Sequence, residues 1–216
     1  MDARPRRNPV VGLLLVAAGV TVWSAMHPAD YATWFFELFI GAIGVAVLAV
    51  SSGRFRFSGF VYLVVALHYV ILATGAKYTY AQVPLFNWLR DVLDLSRNHF
   101  DRVGHFAQGV TPALLTREVL LRTTGLGRGK WLACLSICVA LAFSAFYEIL
   151  EWIWVVLFYP DRGPEWLGMQ GDSWDAQADM LMALLGGLVA VLGFSGVHDK
   201  SIAAIQHPAE TPKASP

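Results

Sequence analysis

Charge is what this sequence has least of. Of its 216 residues, 15% are Asp, Glu, Lys or Arg, against about 25% in an ordinary soluble domain. The 16 basic and 16 acidic residues cancel, so no overall basic field recruits nucleic acid, and no nucleic-acid partner is expected. Two cysteines make no disulfide framework. Cys134 and Cys138 lack the further ligands of a zinc site and read as packing residues of one helix. An HExxH motif, a phosphate-cradling glycine loop and a nucleophile elbow are all missing, which disfavours a zincin, an ATPase and a serine hydrolase. What abounds is apolar. The hydrophobic class makes up 56% of the chain and the mean hydropathy is +0.51. A soluble fold would leave too much of that surface in water, whereas a lipid-facing chain needs it and excludes charge. The composition predicts an all-α polytopic membrane protein.

Apolar runs long enough to cross a bilayer, roughly 17–25 residues, fall at Pro9–Met26, Trp34–Val50, Ser58–Thr74, Trp131–Phe158 and Trp174–Val197. The first follows Arg4, Arg6 and Arg7 as a signal peptide would. No small-x-small cleavage site ends it, however, so it is expected to remain as a span. Phe100–Leu121 has the length of a span but carries Asp101, Arg102, His105 and Gln108. Such a helix crosses only if those groups face protein or a water-filled cavity. About six transmembrane helices are expected, with five and a re-entrant segment as the alternative. With the N-terminus inside, eleven basic residues lie in cytoplasmic segments and five outside, the expected positive-inside bias. Both termini are therefore expected in the cytoplasm. The chain divides into a cytoplasmic segment 1–8, a transmembrane domain 9–197 and a disordered cytoplasmic tail 198–216. Residues 78–96 form the longest outer connection and hold a short amphipathic helix suited to the membrane surface. Trp34, Trp131, Trp152, Trp154, Trp166 and Trp174 sit near span ends, where amphipathic rings collect. Gly41 with Gly44, and Ala183 with Gly187, suit close helix approach. At the inner end of the fourth helix, Arg117, Glu118 and Arg122 are expected to snorkel or to form an ion pair.

Ionisable groups inside the spans carry the functional signal. Asp101 and His105 share one helix face, Glu148 and Glu151 lie a turn apart in YEILEW, and Asp172, Asp175 and Asp179 line up in GDSWDAQADM. His68 and Tyr69 lie at a similar level on the third span. All fall in the outer half of the membrane under the topology above. Each of Asp101, Glu148, Glu151, Asp175 and Asp179 would cost about 2.5–3.5 kcal/mol at the bilayer centre, so protons, Arg102 or a bound cation must neutralise them. Three readings stand. Carboxylates with imidazole bind a divalent metal such as Zn, Mn or Mg. Alternatively, the acids form a metal-free acid/base or proton-relay site. In the third reading Arg102, His105, Gln108 and Gln177 complete a network that only glues helices. Arg102, His105 and His68 are few partners for so many acids, which counts against the third.

The segments KYTYAQVP, RNHFDRVGHFAQGVTPALLTREVLLR, YEILEW and GDSWDAQADMLMALLGG resemble the YjdF family of bacterial inner-membrane proteins, over roughly residues 10–197. The resemblance implies a helical fold and an inner-membrane location more than a reaction. More distantly, Asp101–x3–His105, Glu148 and Asp175–x3–Asp179 followed by Gly186 and Gly187 are similar to the VanZ-like pattern. Arg102, Glu151 and Asp179 stand where that pattern has Lys, Gln and Asn. This second likeness implies a small envelope protein acting on a lipid-linked or glycan headgroup. The expected function is an outward-facing acidic and histidine pocket that binds a metal or a polar lipid headgroup, with a divalent cation as the expected cofactor and membrane lipid as the expected partner. His105, Glu148 and Asp179 are the expected ligands, and Glu151, Asp101 and Asp175 the expected catalytic groups. A proton- or cation-coupled carrier and a non-catalytic membrane subunit are the alternatives.

Overall fold

The computed structural model describes residues 8–163, 167 and 169–206, and every extended regular element among them is helical. Arg4, Arg6, Arg7, Trp166, Lys213 and the stretch 207–216 lie outside the described residues. The helices are α1 (Pro9–Ala25), α2 (Tyr31–Ser51), α3 (Gly59–Tyr78), α4 (Pro84–Leu93), α5 (Phe100–Thr123), α6 (Lys130–Phe158), α7 (Asp175–Gly193) and α8 (Ser195–Gln206). Local chemistry sets their starts. Asn8 and Asp30 cap α1 and α2 by accepting from Val10 N at 3.2 Å and Thr33 N at 2.7 Å, and Pro9 occupies a first-turn position that needs no donor. Four helices, α2, α3, α6 and α7, are long and apolar enough to cross a membrane, and α1 is a shorter apolar helix.

α5 is the exception in composition and the centre in packing. Its 24 residues span about 36 Å, enough to cross without re-entering. Gly104, His105, Gln108, Thr111, Arg117 and Glu118 are all buried, so its polar face looks onto protein rather than lipid. α3, α6 and α7 surround it, while α1 and α2 pack onto α3 from the far flank. The outward faces carry the apolar surface expected of lipid contact: Val50, Trp131, Trp152 and Leu192 are largely exposed.

Three expectations need correction. The tail does not become irregular at residue 198: α8 runs to Gln206 and packs back on α3, where Phe60 N donates to Ser201 Oγ at 3.0 Å. An amphipathic turn carrying His198 and Ile202, both buried, explains this. Cys134 and Cys138 do not pack inside the bundle; both are exposed on α6. The close approach expected at small residues occurs at Ala183, Gly187 and Gly41 but not at Gly44. Gly109 of α5 faces Ala183 of α7, Gly186 faces Phe106, and Gly187 faces Ala140 of α6. Gly41 does pack tightly, against Leu72 and Tyr69, but Gly44 faces open space.

The crossing of α5 and α7 sets the geometry of everything above it. A Cβ on Gly109 would lie 1.9 Å from the Ala183 carbonyl oxygen, and one on Gly186 would lie 2.1 Å from that of Phe106. Backbone cannot yield as a side-chain tip can. Gly109→Ala should therefore force the helices apart and cost about 1–3 kcal/mol, lowering the melting temperature in detergent. Gly44→Ala, whose Cβ meets nothing within 4 Å, is the control and should melt like the wild type. Equal melting of both variants would mean that the helices cross less closely than described.

Candidate functional site

The close crossing places the first two turns of α5 against the start of α7. Arg97 and Arg102 reach into the gap and grip its acids. Arg102 Nη2 lies 2.6 Å from Asp175 Oδ1 and 3.2 Å from Asp172 Oδ2, and its Nη1 pairs with Asp179. Arg97 pairs with Asp175 and lies 3.8 Å from Asp101 and 3.7 Å from Asp172. Arg97, only 4% exposed, was assigned from sequence to an outer loop; its position four residues before Asp101 was the available signal. Between them the two arginines satisfy Asp172 and Asp175, which makes Asp175 an anchor for guanidinium groups.

Behind the arginines stands His105. Its Nε2 faces Asp101 Oδ1 at 3.5 Å, Glu148 Oε1 at 3.5 Å and Asp179 Oδ1 at 3.8 Å. The three expected ligands, His105, Glu148 and Asp179, are thus brought together, with Asp101 beside them. These distances exceed those of good hydrogen bonds. Nδ1 of His105 and Oε1 of Glu148 are buried without a hydrogen-bond partner. The donors of Asp101, His105 and Asp179 lie within 4.8 Å of one another. A common centre is then no more than about 2.8 Å from each, close to the roughly 2.0–2.6 Å of zinc or calcium ligation. A cavity of about 20 Å³ adjoins them, lined by Glu37, Tyr80, Asp101, His105, Tyr147 and Glu151 among others. That is room for one ion or one water, not for a headgroup.

Glu37 was overlooked in the sequence. It is the one charged residue of α2, and a lone carboxylate in an apolar run is a signal in its own right. Tyr147 Oη donates to its Oε2 at 2.6 Å, linking α2 to α6. Tyr80, in the turn after α3, also closes over the cavity. Burial first, then the negative charges of Glu37, Asp101 and Glu151, push its hydroxyl well above the usual range, so it stays a hydrogen-bond donor at neutral pH. Of the other expected partners, Gln108 is buried on the site side, whereas Gln177 is exposed and joins no network.

With this geometry in view, comparison with known proteins is informative. Residues 9–200 match the family described as "Predicted membrane protein (DUF2238)". The chain belongs to that family. It is 39% identical over 183 residues to inner membrane protein YjdF of Escherichia coli (strain K12), covering 85% of this chain and 87% of that protein. No solved structure matches the chain. The chain is a multi-pass protein of the bacterial inner membrane.

The opposite end of the bundle holds a second polar layer of another kind. Glu118, fully buried, accepts from Ser58 N at 2.8 Å, Arg122 Nη1 at 2.6 Å and His198 Nε2 at 3.0 Å. Arg117 Nη1 donates to His198 Nδ1 at 3.2 Å, and its Nη2 lies 2.8 Å from Asp199. Arg117 is therefore buried rather than snorkelling, while Arg122 forms the expected ion pair. Burial pushes the Asp199 carboxyl up, but hydrogen bonds from Arg128 and Arg117 outweigh it and hold the group below the usual range. Here each charged group has its partner, in contrast to the His105 end.

Proposed function

We propose that this inner-membrane protein holds a divalent cation between His105, Glu148, Asp179 and Asp101, and acts with it on a polar lipid headgroup at the outer face of the membrane. One observation carries the reading: a buried imidazole nitrogen faces three carboxylates at 3.5–3.8 Å, too far for good hydrogen bonds, and the ligand atoms of Asp101, His105 and Asp179 are closely spaced enough to share one ion, with Glu148 beside them. A cation there would lower the pKa of a bound water. Glu151, which lines the same cavity without belonging to the ligand group, is the carboxylate that would take its proton.

The alternatives fare less well on the same geometry. A purely structural network accounts for Asp172 and Asp175, and reaches Asp179 through Arg102 and Asp101 through Arg97, but it leaves Glu148 Oε1 and His105 Nδ1 buried without a hydrogen-bond partner. A carrier needs a polar path through the bundle. Below the site, α5 buries Val110, Ala113 and Leu114 in the apolar core, and the satisfied Glu118 layer lies beneath them. The test is metal content. Protein purified in mild detergent without chelator should carry close to one equivalent of a divalent metal, and His105→Ala should carry at least several-fold less. Equal content in the two proteins would end the proposal.

A further inference from the structure

A second cavity, of about 350 Å³, lies directly beside the small acidic one and shares Glu37, Leu72, Gln108 and Tyr147 with it. Its size falls in the roughly 300–1,000 Å³ range of small-molecule sites. It runs between α2, α3, α5 and α6 from Glu37 down to Val47, ten residues along α2, or about 15 Å. The side chains that bring α2 and α6 together are at its upper end: Tyr147 donates to Glu37, and the Phe36 and Trp154 rings lie 4.9 Å apart. Beneath that latch the two helices part. Gly41 and Gly44 remove bulk from one wall, while Val47 and Phe143, which line the cavity, are themselves exposed at 58% and 39%. The opening is thus on the lipid-facing surface, at hydrocarbon depth.

Most of the lining is apolar, with Thr116 lower down and the other polar groups gathered toward the top. His68 Nε2 and Thr111 Oγ1 are buried there without hydrogen-bond partners. A hydrocarbon chain alone would leave them so; an occupant with oxygen atoms at that level would not. Among the described residues, no lysine or arginine lines either cavity, while Glu37, Asp101 and Glu151 line the head end. Their carboxyl oxygens can accept hydrogen bonds from an ammonium, whereas an anionic headgroup with no ammonium finds no basic side chain there.

We propose that this cleft binds one membrane lipid with an amine-bearing headgroup, of the phosphatidylethanolamine class. One acyl chain lies along α2 between Gly44 and Phe143, the ester oxygens sit at His68 and Thr111, and the ammonium is directed toward Glu37. The inference rests on the cation-site reading in one respect: the headgroup ends beside that site and is its substrate class. Chain binding itself requires no cation.

Native mass spectrometry of the full chain, exchanged into mixed micelles with equimolar phosphatidylethanolamine and phosphatidylglycerol, tests this. The wild type should retain one lipid, with the amine lipid favoured at least fivefold, in chelator as well as without it. Gly44→Phe should fill the cleft and cut retention at least fivefold, and Val47→Trp at the mouth is a second blocking variant should the first fail to fold. Glu37→Gln, whose amide oxygen still accepts from Tyr147, should keep retention but erase the preference for amine. Equal retention in the wild type and a folded blocking variant, or a preference for phosphatidylglycerol, would overturn the proposal. Lipid retention by a wild type that was purified without chelator and yet holds no divalent metal would overturn the cation reading and leave this one intact.

Discussion

Adding Zn²⁺, Mn²⁺ or Mg²⁺ to chelator-stripped protein should raise its melting temperature for the one ion that fits, and Glu148→Gln and Asp179→Asn should each lose most of that rise. The size follows from mass action. A ligand at about 100 times its Kd adds about 2.7 kcal/mol to the folded state, which for a chain of this length corresponds to roughly 5–10 °C. The two variants differ in their metal-free behaviour, and that difference makes the experiment discriminating. Glu148 has no arginine partner, so removing its charge relieves repulsion from Asp101 and Asp179 and should leave the metal-free protein unchanged or more stable. Asp179 pairs with Arg102, so Asp179→Asn should cost stability, though Arg102 keeps Asp175 at 2.6 Å and Asp172 at 3.2 Å. A site that binds no cation predicts the same metal-free differences but an identical, null response to every ion in all three proteins.

Glu118→Ala should be the most damaging single change at the other end of the bundle, at about 3–5 kcal/mol, the usual cost of removing one partner of a buried charge pair. It leaves the buried Ser58 N and His198 Nε2 without their acceptor, while Arg122 keeps only the Arg56 carbonyl oxygen. Glu118→Gln should be intermediate, at about 1–3 kcal/mol, for a specific reason. Arg117 can only donate, so His198 Nδ1 must accept and Nε2 must carry the hydrogen. A glutamine oxygen can satisfy Ser58 and Arg122, but its NH₂ would then confront the His198 N–H. Arg128→Ala removes an exposed partner of Asp199 and should cost less than about 1 kcal/mol. Thermal or denaturant unfolding of the three variants in one detergent gives the order. Near-equal stability of Glu118→Ala and wild type would show that the layer is hydrated and contributes little.

The sequence revealed more of the bundle than of the site. Runs such as Trp131–Phe158 could be read directly, because length and apolarity are what a bilayer demands. α5 could be read only by its length, since its reason for crossing lies in other helices. Asp101 with His105, Glu148 with Glu151 and Asp175 with Asp179 are visible as helical spacings, and the structure brings together both members of the first pair and one member of each of the others. Which member does so depends on the rotation of α6 and α7 about their axes, and rotation is set by contacts such as Gly109 against Ala183 that no single segment specifies. Arg97 was counted as a loop cation because it stands outside every apolar run. Glu37 was passed over because one acid hardly disturbs the hydropathy of α2. His198 belonged to a stretch whose polarity suggested disorder, although its turn of helix has an apolar side.

The close contact of α5 with α7 also bears on how the chain enters the bilayer. α5 is synthesised about seventy residues before α7, counting from Phe100 to Asp175. Its charges, Asp101 and Arg102 near one end and Arg117, Glu118 and Arg122 near the other, disfavour hydrocarbon, the cost rising to about 2.5–3.5 kcal/mol each at the bilayer centre. A nascent chain that ends before α7 therefore has no glycine face for α5 to dock on and no Asp175 for Arg97 and Arg102 to grip. α5 must wait at the interface, or within the insertion machinery, until its partner emerges. Biogenesis of this protein is then not a simple succession of spans: its central helix is inserted late, as one half of a pair whose other half emerges only after α6.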